Sequence, residues 1–227
     1  MTRLLLIHGL GGTGATMDRL GAHLAAAGHE VHAPTLPGHG TDPSHLVGVG
    51  WDDWVRAVRE WCATWSIDAI VGQSMGGALA LAVAADPEHI DTEHIDTVRR
   101  VVAINTPVPD PDAVDGLEWR RSRGHTTIEG AALADGEVGY TSMPLEALLE
   151  MATGLLRLPL ARVTVPVLLV NGALDDAVDP TTAAALRSAL TGTVVEHVLP
   201  HTGHVATLGP DLAGLTATIL AFIAAHG

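Results

Sequence analysis

The stretch Asp68-Ala69-Ile70-Val71-Gly72-Gln73-Ser74-Met75-Gly76-Gly77 decides how this chain is read. An apolar run, Ala69–Val71, leads into Gly72-Gln73-Ser74-Met75-Gly76, a Gly-x-Ser-x-Gly pattern. A Gly/Ala-rich helical stretch, Met75 to Ala85, follows it. Such a pattern describes a strand that turns sharply into a helix and lifts a serine hydroxyl clear of the backbone. The strained backbone of the serine crowds its neighbours, so the positions two before and two after it must be small. Gly72 and Gly76 satisfy that demand, and Ser74 becomes the candidate nucleophile.

A serine hydroxyl is a weak nucleophile without a base, and the base needs an acid to orient it. In this strand–turn–helix setting the acid and then the base follow the serine in chain order. The apolar run Val167–Val170 leads into Asn171-Gly172-Ala173-Leu174-Asp175-Asp176-Ala177-Val178-Asp179-Pro180, where Asp175, Asp176 and Asp179 are candidate acids. A last run, Val194–Leu199, leads into Pro200-His201-Thr202-Gly203-His204-Val205. Both loops follow strands, where α/β sheets build their sites, and Asp175 with His204 satisfies the order. His201 and His204 are no metal pair on this reading. Their spacing has no defined geometry in a loop, and no cysteine or acid cluster accompanies them.

Near the start, Leu6-Ile7-His8-Gly9-Leu10-Gly11-Gly12 ends an apolar run in a glycine-rich turn. The turn can aim the Leu10 N–H at a developing oxyanion, with the Met75 N–H as second donor. It has neither a phosphate-loop lysine nor the dinucleotide glycine spacing, so nucleotide binding is set aside. His39 reads as a structural loop residue, and Cys62 with its tryptophan stripe reads as core.

Working outward, apolar runs alternate with amphipathic stretches. The runs are Leu4–Ile7, Val31–Leu36, Ala69–Val71, Val98–Ile104, Val167–Val170 and Val194–Leu199. Several are continuously apolar, as strands buried on both faces are. Helical stripes run through Met17, Leu20, Leu24 and Ala27, through Trp51 to Trp65, and from Pro210 to Ile223. This alternation predicts an α/β fold with a mostly parallel sheet and helices on both faces. Two segments break the rhythm. Glu-His-Ile-Asp-Thr at 88–92 recurs at 93–97 and reads as a surface loop, although its histidines and acids raise a metal site as the competing reading. Residues 107–162 read as an insertion over the sheet, with an apolar helical pattern from Leu145 to Leu158. Arg120, Arg121 and Arg123 within it read as a solvated surface.

Composition bounds the rest. The chain has 227 residues, 26 acidic side chains against 12 basic, and a net charge of −14. That size fits one domain with a modest insertion. The acidic balance argues against nucleic-acid or anionic-membrane partners. Every basic residue is Arg, so lysine chemistry is excluded. Cys62 is the single cysteine, so no intrachain disulfide forms. The longest apolar run, Ala78 to Ala85, is far short of the ~20 residues that span a bilayer. The apolar start is too short for a signal-peptide core, and a cytoplasmic location is expected.

Together these segments resemble the α/β-hydrolase superfamily over nearly the whole chain, nearest to its bacterial carboxylesterase and monoacylglycerol-lipase group. His8-Gly9-Leu10, Leu36-Pro37-Gly38-His39-Gly40-Thr41, Gly72–Gly76, the Asp175–Pro180 turn and Thr202-Gly203-His204-Val205-Ala206-Thr207-Leu208 carry the resemblance. It implies Ser74 as nucleophile, Asp175 as acid, His204 as base, and no cofactor or metal. It implies a core of residues 1–106 and 163–227, with about six strands and without the leading strands of larger members, and a small helical cap at 107–162. Leu10 departs from the aromatic these esterases often carry there. The implied substrate is a small ester with an apolar acyl chain, held by a pocket expected to include Gly9, Leu145, Leu148, Met151 and Val205. An acyl thioesterase and a non-catalytic binding module on the same scaffold are the alternatives.

Overall fold

The computed structural model describes residues 1–85, 98–130, 132–133, 135–179 and 181–227. The duplicated pentapeptide, with the surface-loop and metal readings attached to it, lies outside them. Six strands form one parallel sheet: β1 (Arg3–Ile7), β2 (Glu30–His32), β3 (Ala69–Gln73), β4 (Arg100–Ile104), β7 (Val167–Gly172) and β8 (Val194–Leu199). Their order is β2-β1-β3-β4-β7-β8. Two short strands, β5 (Thr127–Glu129) and β6 (Ser142–Pro144), pair antiparallel apart from it.

The apolar runs are continuous because both faces of the sheet are covered. Leu5, Ile7, Ile70, Val101, Ala103, Val167 and Leu169 face one core. Helices α2 (Trp51–Trp65) and α3 (Met75–Ala84) pack into it. Leu4, Leu6, Val71, Val102, Ile104, Leu168 and Val170 face a second core, beneath α1 (Asp18–Ala26) and α7 (Leu212–Ala225). Register matters for the site. Ile7 pairs with Gly72, Gln73 with Ile104, Ile104 with Val170, and Gly172 with Leu199. The loops that leave β1, β3, β4, β7 and β8 therefore emerge along one edge.

Between β4 and β7 the chain inserts α4 (Pro111–Ser122), the β5–β6 hairpin and α5 (Leu145–Leu156). Asp110 caps α4 by accepting from the Asp112 N–H at 3.0 Å. Helix α5 lies on α2: a Cβ on Gly154 would fall 2.1 Å from the Trp51 ring, and the Glu150 carboxylate accepts the Trp51 N–H at 3.2 Å.

Two readings need correction. The strand expected over Val31–Leu36 ends at His32. Pro34 has no N–H to give a ladder, and the Leu36 N–H donates to His8 Nε2 at 3.0 Å instead. The insertion was expected to be helical, yet it also holds the β5–β6 hairpin, whose three-residue strands are too short to show a period-2 pattern. Helix α6 (Thr182–Ala189) buries only Thr182 and Leu186, and α4 buries no residue. Neither carries a stripe that sequence reading could catch.

Candidate active site

Ser74 sits between β3 and α3 with φ 55° and ψ −123°. That is left-handed backbone, which a non-glycine residue adopts only when its surroundings enforce it. Its N–H donates to the Ile104 carbonyl at 2.8 Å. The flanking glycines show why the turn needs them. A Cβ on Gly72 would lie 2.1 Å from the Gly76 carbonyl oxygen, and one on Gly76 would lie 2.3 Å from that of Ile7.

The hydroxyl meets His204 and through it Asp175. Ser74 Oγ lies 3.1 Å from His204 Nε2, and His204 Nδ1 lies 3.0 Å and 3.1 Å from the two Asp175 carboxylate oxygens. The Asp175 side chain is 3% exposed. Burial alone would raise its pKa, but the His204 hydrogen bond and charge and the Val178 and Ala177 amides outweigh that and hold the carboxyl below its ordinary range. The two neighbouring acids are placed differently. Asp176 is exposed. Asp179 accepts from the Thr181 hydroxyl and N–H at the start of α6. His201 points away from Ser74 chemistry, with its side chain 75% exposed and paired to Asp211.

Three polar side chains that sequence reading passed over hold the loop carrying His204. Asn105 Nδ2 donates to the carbonyls of Gly203 and His204, at 3.0 and 2.7 Å. Gln73 Oε1 accepts the Thr207 N–H at 3.1 Å. Asp211 accepts from the His201 N–H and the Thr202 hydroxyl. The acid loop is stitched to the base loop by Leu174 N–H donating to the Thr202 carbonyl at 3.0 Å. Asn105 and Asp211 lie outside any motif, and Gln73 occupies a variable position of the Gly-x-Ser-x-Gly pattern, so no sequence signal marks their partners.

The turn after β1 lies against Ser74: a Cβ on Gly9 would fall 3.1 Å from Ser74 Cβ. The Gly9 carbonyl accepts from Gly12 N–H at 3.1 Å and from His8 Nδ1 at 2.8 Å, while His8 Nε2 accepts the Leu36 N–H. Burial, helped by neighbouring His39 and opposed by the Gly9 bond, lowers the His8 pKa to about 3, so the ring is neutral. The inserted segment grips the same turn. Tyr140 N–H donates to the Gly11 carbonyl at 2.8 Å, and the Met143 side chain fills the space a Gly11 Cβ would need. Among the described residues, the N–H groups of Leu10 and Met75 donate no hydrogen bond, which leaves both able to bind an oxygen.

Of the expected pocket residues, Gly9 touches Ser74, and Val205 follows His204 half-buried. Leu148 and Met151 are half-buried on α5, and Leu145 is 2% exposed at its start. Arg121 pairs with Glu118 and Arg123 stacks on Trp119, all on an exposed surface. Cys62 is buried, and burial pushes its thiol up to about 12, so it is no nucleophile. A cleft of about 400 Å³ opens at the other end of the sheet, lined by Met1, His29, Asp68, Arg99 and Arg100. It lies at the end of the sheet opposite Ser74, so its volume does not locate the chemistry.

Residues 4–213 match the Alpha/beta hydrolase family. The chain belongs to that family. This alpha/beta hydrolase is 31% identical to the thermostable monoacylglycerol lipase of Bacillus sp. (strain H-257), over 98% of its own chain and 90% of the relative. It is 32% identical to the carboxylesterase of Bacillus subtilis (strain 168), over 40% of its chain and 44% of that protein. A solved structure of metagenome-derived lipolytic enzymes superposes with a TM-score of 0.83 at 26% identity, covering 99% of this hydrolase and 94% of that chain. No helix among the described residues is long and apolar enough to cross a membrane.

Proposed function

We propose that this alpha/beta hydrolase cleaves carboxylic esters of short to medium acyl chains through an acyl-enzyme on Ser74, without a cofactor. The observation that carries the reading is the unbroken path Ser74–His204–Asp175, at 3.1 and 3.0 Å. His204 Nε2 takes the Ser74 proton as Oγ attacks the ester carbonyl. The carbonyl π electrons move onto oxygen, which the Leu10 and Met75 N–H groups bind. The oxyanion collapses, the C–O bond to the alcohol breaks, and His204 returns the proton to the departing oxygen. Water, deprotonated by His204, then attacks the acyl-enzyme and releases the acid. Asp175 holds Nδ1 protonated throughout and stabilises the imidazolium.

Residues 1–106 and 163–227 form the hydrolase core in this reading, and residues 107–162 form a cap. The acyl chain lies against Gly9, Val205, Leu148 and Met151, with Leu145 behind them. The similarity to a monoacylglycerol lipase over 90% of that relative supports an ester substrate with an apolar acyl chain and a small alcohol. The single, buried Cys62 accords with a cytoplasmic setting.

Purified wild-type and Ser74→Ala proteins decide the matter. The wild type is expected to hydrolyse p-nitrophenyl esters and monoacylglycerols and to be labelled by a phosphonate. Ser74→Ala is expected to lose activity by a factor on the order of 10⁶ and to resist labelling. Activity retained in Ser74→Ala, or cleavage confined to acyl thioesters, overturns the reading.

A further inference from the structure

Asn105 stands directly after β4, fully buried, with φ 46°. Left-handed backbone is costly for most residues, and asparagine is among the few non-glycine types that accept it. Its own N–H donates to the Val170 carbonyl at 2.8 Å. Its side-chain amide uses both ends. Nδ2 donates to the Gly203 and His204 carbonyls, and Oδ1 accepts the Gly172 N–H at 2.7 Å. Two carbonyls can only accept and an amide N–H can only donate, so this orientation of the group is the one the partners allow.

We propose that Asn105 is a positioning residue for the hydrolytic base. By binding the His204 backbone and Gly172 together, it fixes the imidazole between Ser74 and Asp175. The proposal rests on the mechanism above and assigns Asn105 no contact with substrate, because the side chain is fully buried.

Residues Pro200 to Val205 form no helix or strand. Gln73 and Asp211 grip that loop through Thr207, His201 and Thr202, on either side of His204. Among the described residues, Asn105 is the side chain that bonds the His204 backbone itself. The same side chain binds Gly172, from which the chain turns into the Asp175 loop. The preceding residue, Ile104, accepts the N–H of Ser74. Residues 104 and 105 therefore reference nucleophile, acid loop and base to the end of one central strand. Such a group is needed because proton transfer is steep in distance: a shift of roughly 1 Å at a reacting group can cost on the order of 10² in rate.

The test uses Asn105→Asp and Asn105→Gly. Aspartate keeps the shape, the tolerance of left-handed backbone and the acceptor for Gly172, but cannot donate to two carbonyls. Glycine keeps the backbone freedom and removes the amide. Active sites are counted by phosphonate titration, and kcat and KM for a p-nitrophenyl ester are measured per titrated site across pH. Both variants are expected to lose about 10- to 100-fold in kcat with KM within about twofold, and to displace the acid limb of the pH profile. Asn105→Ser, which can still donate once, is expected to recover part of the loss. Wild-type kcat per titrated site with an unmoved pH profile overturns the proposal, whatever the melting temperature does. So does a failure of all three variants to fold, since Asn105 would then serve stability rather than positioning. Ser74→Ala run in parallel separates this from the mechanism: activity surviving there refutes the triad, not Asn105.

Discussion

The N–H of Tyr140 donates to the Gly11 carbonyl at 2.8 Å, joining a segment inserted between β4 and β7 to the turn beside Ser74. The Tyr140 hydroxyl adds two links, accepting from Thr41 N–H at 3.0 Å and donating to the Gly38 carbonyl at 3.3 Å. Its ring lies parallel to that of His39, 6.4 Å away. Tyr140→Phe keeps the backbone bond and the ring and removes both hydroxyl links. At about 1 kcal/mol for each hydrogen bond, the melting temperature is expected to fall by roughly 4–8 °C for a chain of this size. The kcat/KM for a short ester is expected to fall less than tenfold. A thermal melt with a parallel rate assay checks both, and no change in either would mean that the segment does not brace the turn.

The three acids of the β7 loop are expected to separate cleanly. Asp175→Asn leaves His204 in the wrong tautomer, with a loss of up to about 10⁴ in kcat. Asp176→Asn is expected to leave the rate unchanged. Asp179→Asn is expected to do the same and to cost at most about 1 kcal/mol at the start of α6. Rates and urea midpoints of the three variants decide this, and a larger rate loss at 176 or 179 would reassign the acid.

Glycine substitutions should divide by what a Cβ meets. In Gly76→Ala the new atom falls 2.3 Å from a backbone carbonyl oxygen, which no side-chain rotation relieves. Loss of soluble protein or of activity is expected. In Gly116→Ala, inside α4, the Cβ meets nothing within 4 Å. That change is expected to raise stability by roughly 0.5–1 kcal/mol, read as a higher urea midpoint.

Stability should begin to fall as the pH drops below about 6.5. The His8 ring stays neutral in the fold down to about pH 3, and burial lowers His39 as well. In the unfolded chain both rings take up protons near pH 6.5. Between those limits the unfolded state binds more protons, so stability is full above about pH 6.5 and declines as pH drops toward 3. Asp175, with its pKa held low, adds to the loss at the acid end of that range. Urea midpoints from pH 8 to about pH 4 should trace the decline. His8→Gln, which keeps an acceptor for the Leu36 N–H, should be less stable at neutral pH and lose less on acidification.

In the proposed reaction the acyl chain meets apolar side chains of the β1 turn and the inserted segment, which would set its preference. Leu10, Met143 and Met151 pack half-buried on the first core, and aromatic residues make up only 3% of the chain. Flexible aliphatic walls suit flexible acyl chains. Each buried methylene contributes up to about 0.8 kcal/mol, so kcat/KM should climb up to about fourfold per methylene and then level. A p-nitrophenyl ester series with acetate fastest would refute this.

The sequence by itself determined the sheet and singled out Ser74, Asp175 and His204 as the candidate reacting residues. Continuous apolar runs and the small residues around Ser74 are local signals, each imposed by sterics within one segment, and the order Ser, Asp, His across three strand-end loops singled out the partners. The order of the strands, the contact of Asp175 with His204 while Asp176 is exposed and Asp179 bonds Thr181, and the exposed place of His201 came only with the tertiary structure. So did Asn105, Gln73, Asp211 and Tyr140, single polar residues whose partners lie on other segments: Asn105 bonds His204, 99 residues away, and Gln73 bonds Thr207, 134 residues away. A hydrogen bond leaves a mark in sequence only when its partner is near in the chain. Whether an amide caps a loop or faces water is therefore decided by which strands the sheet brings side by side.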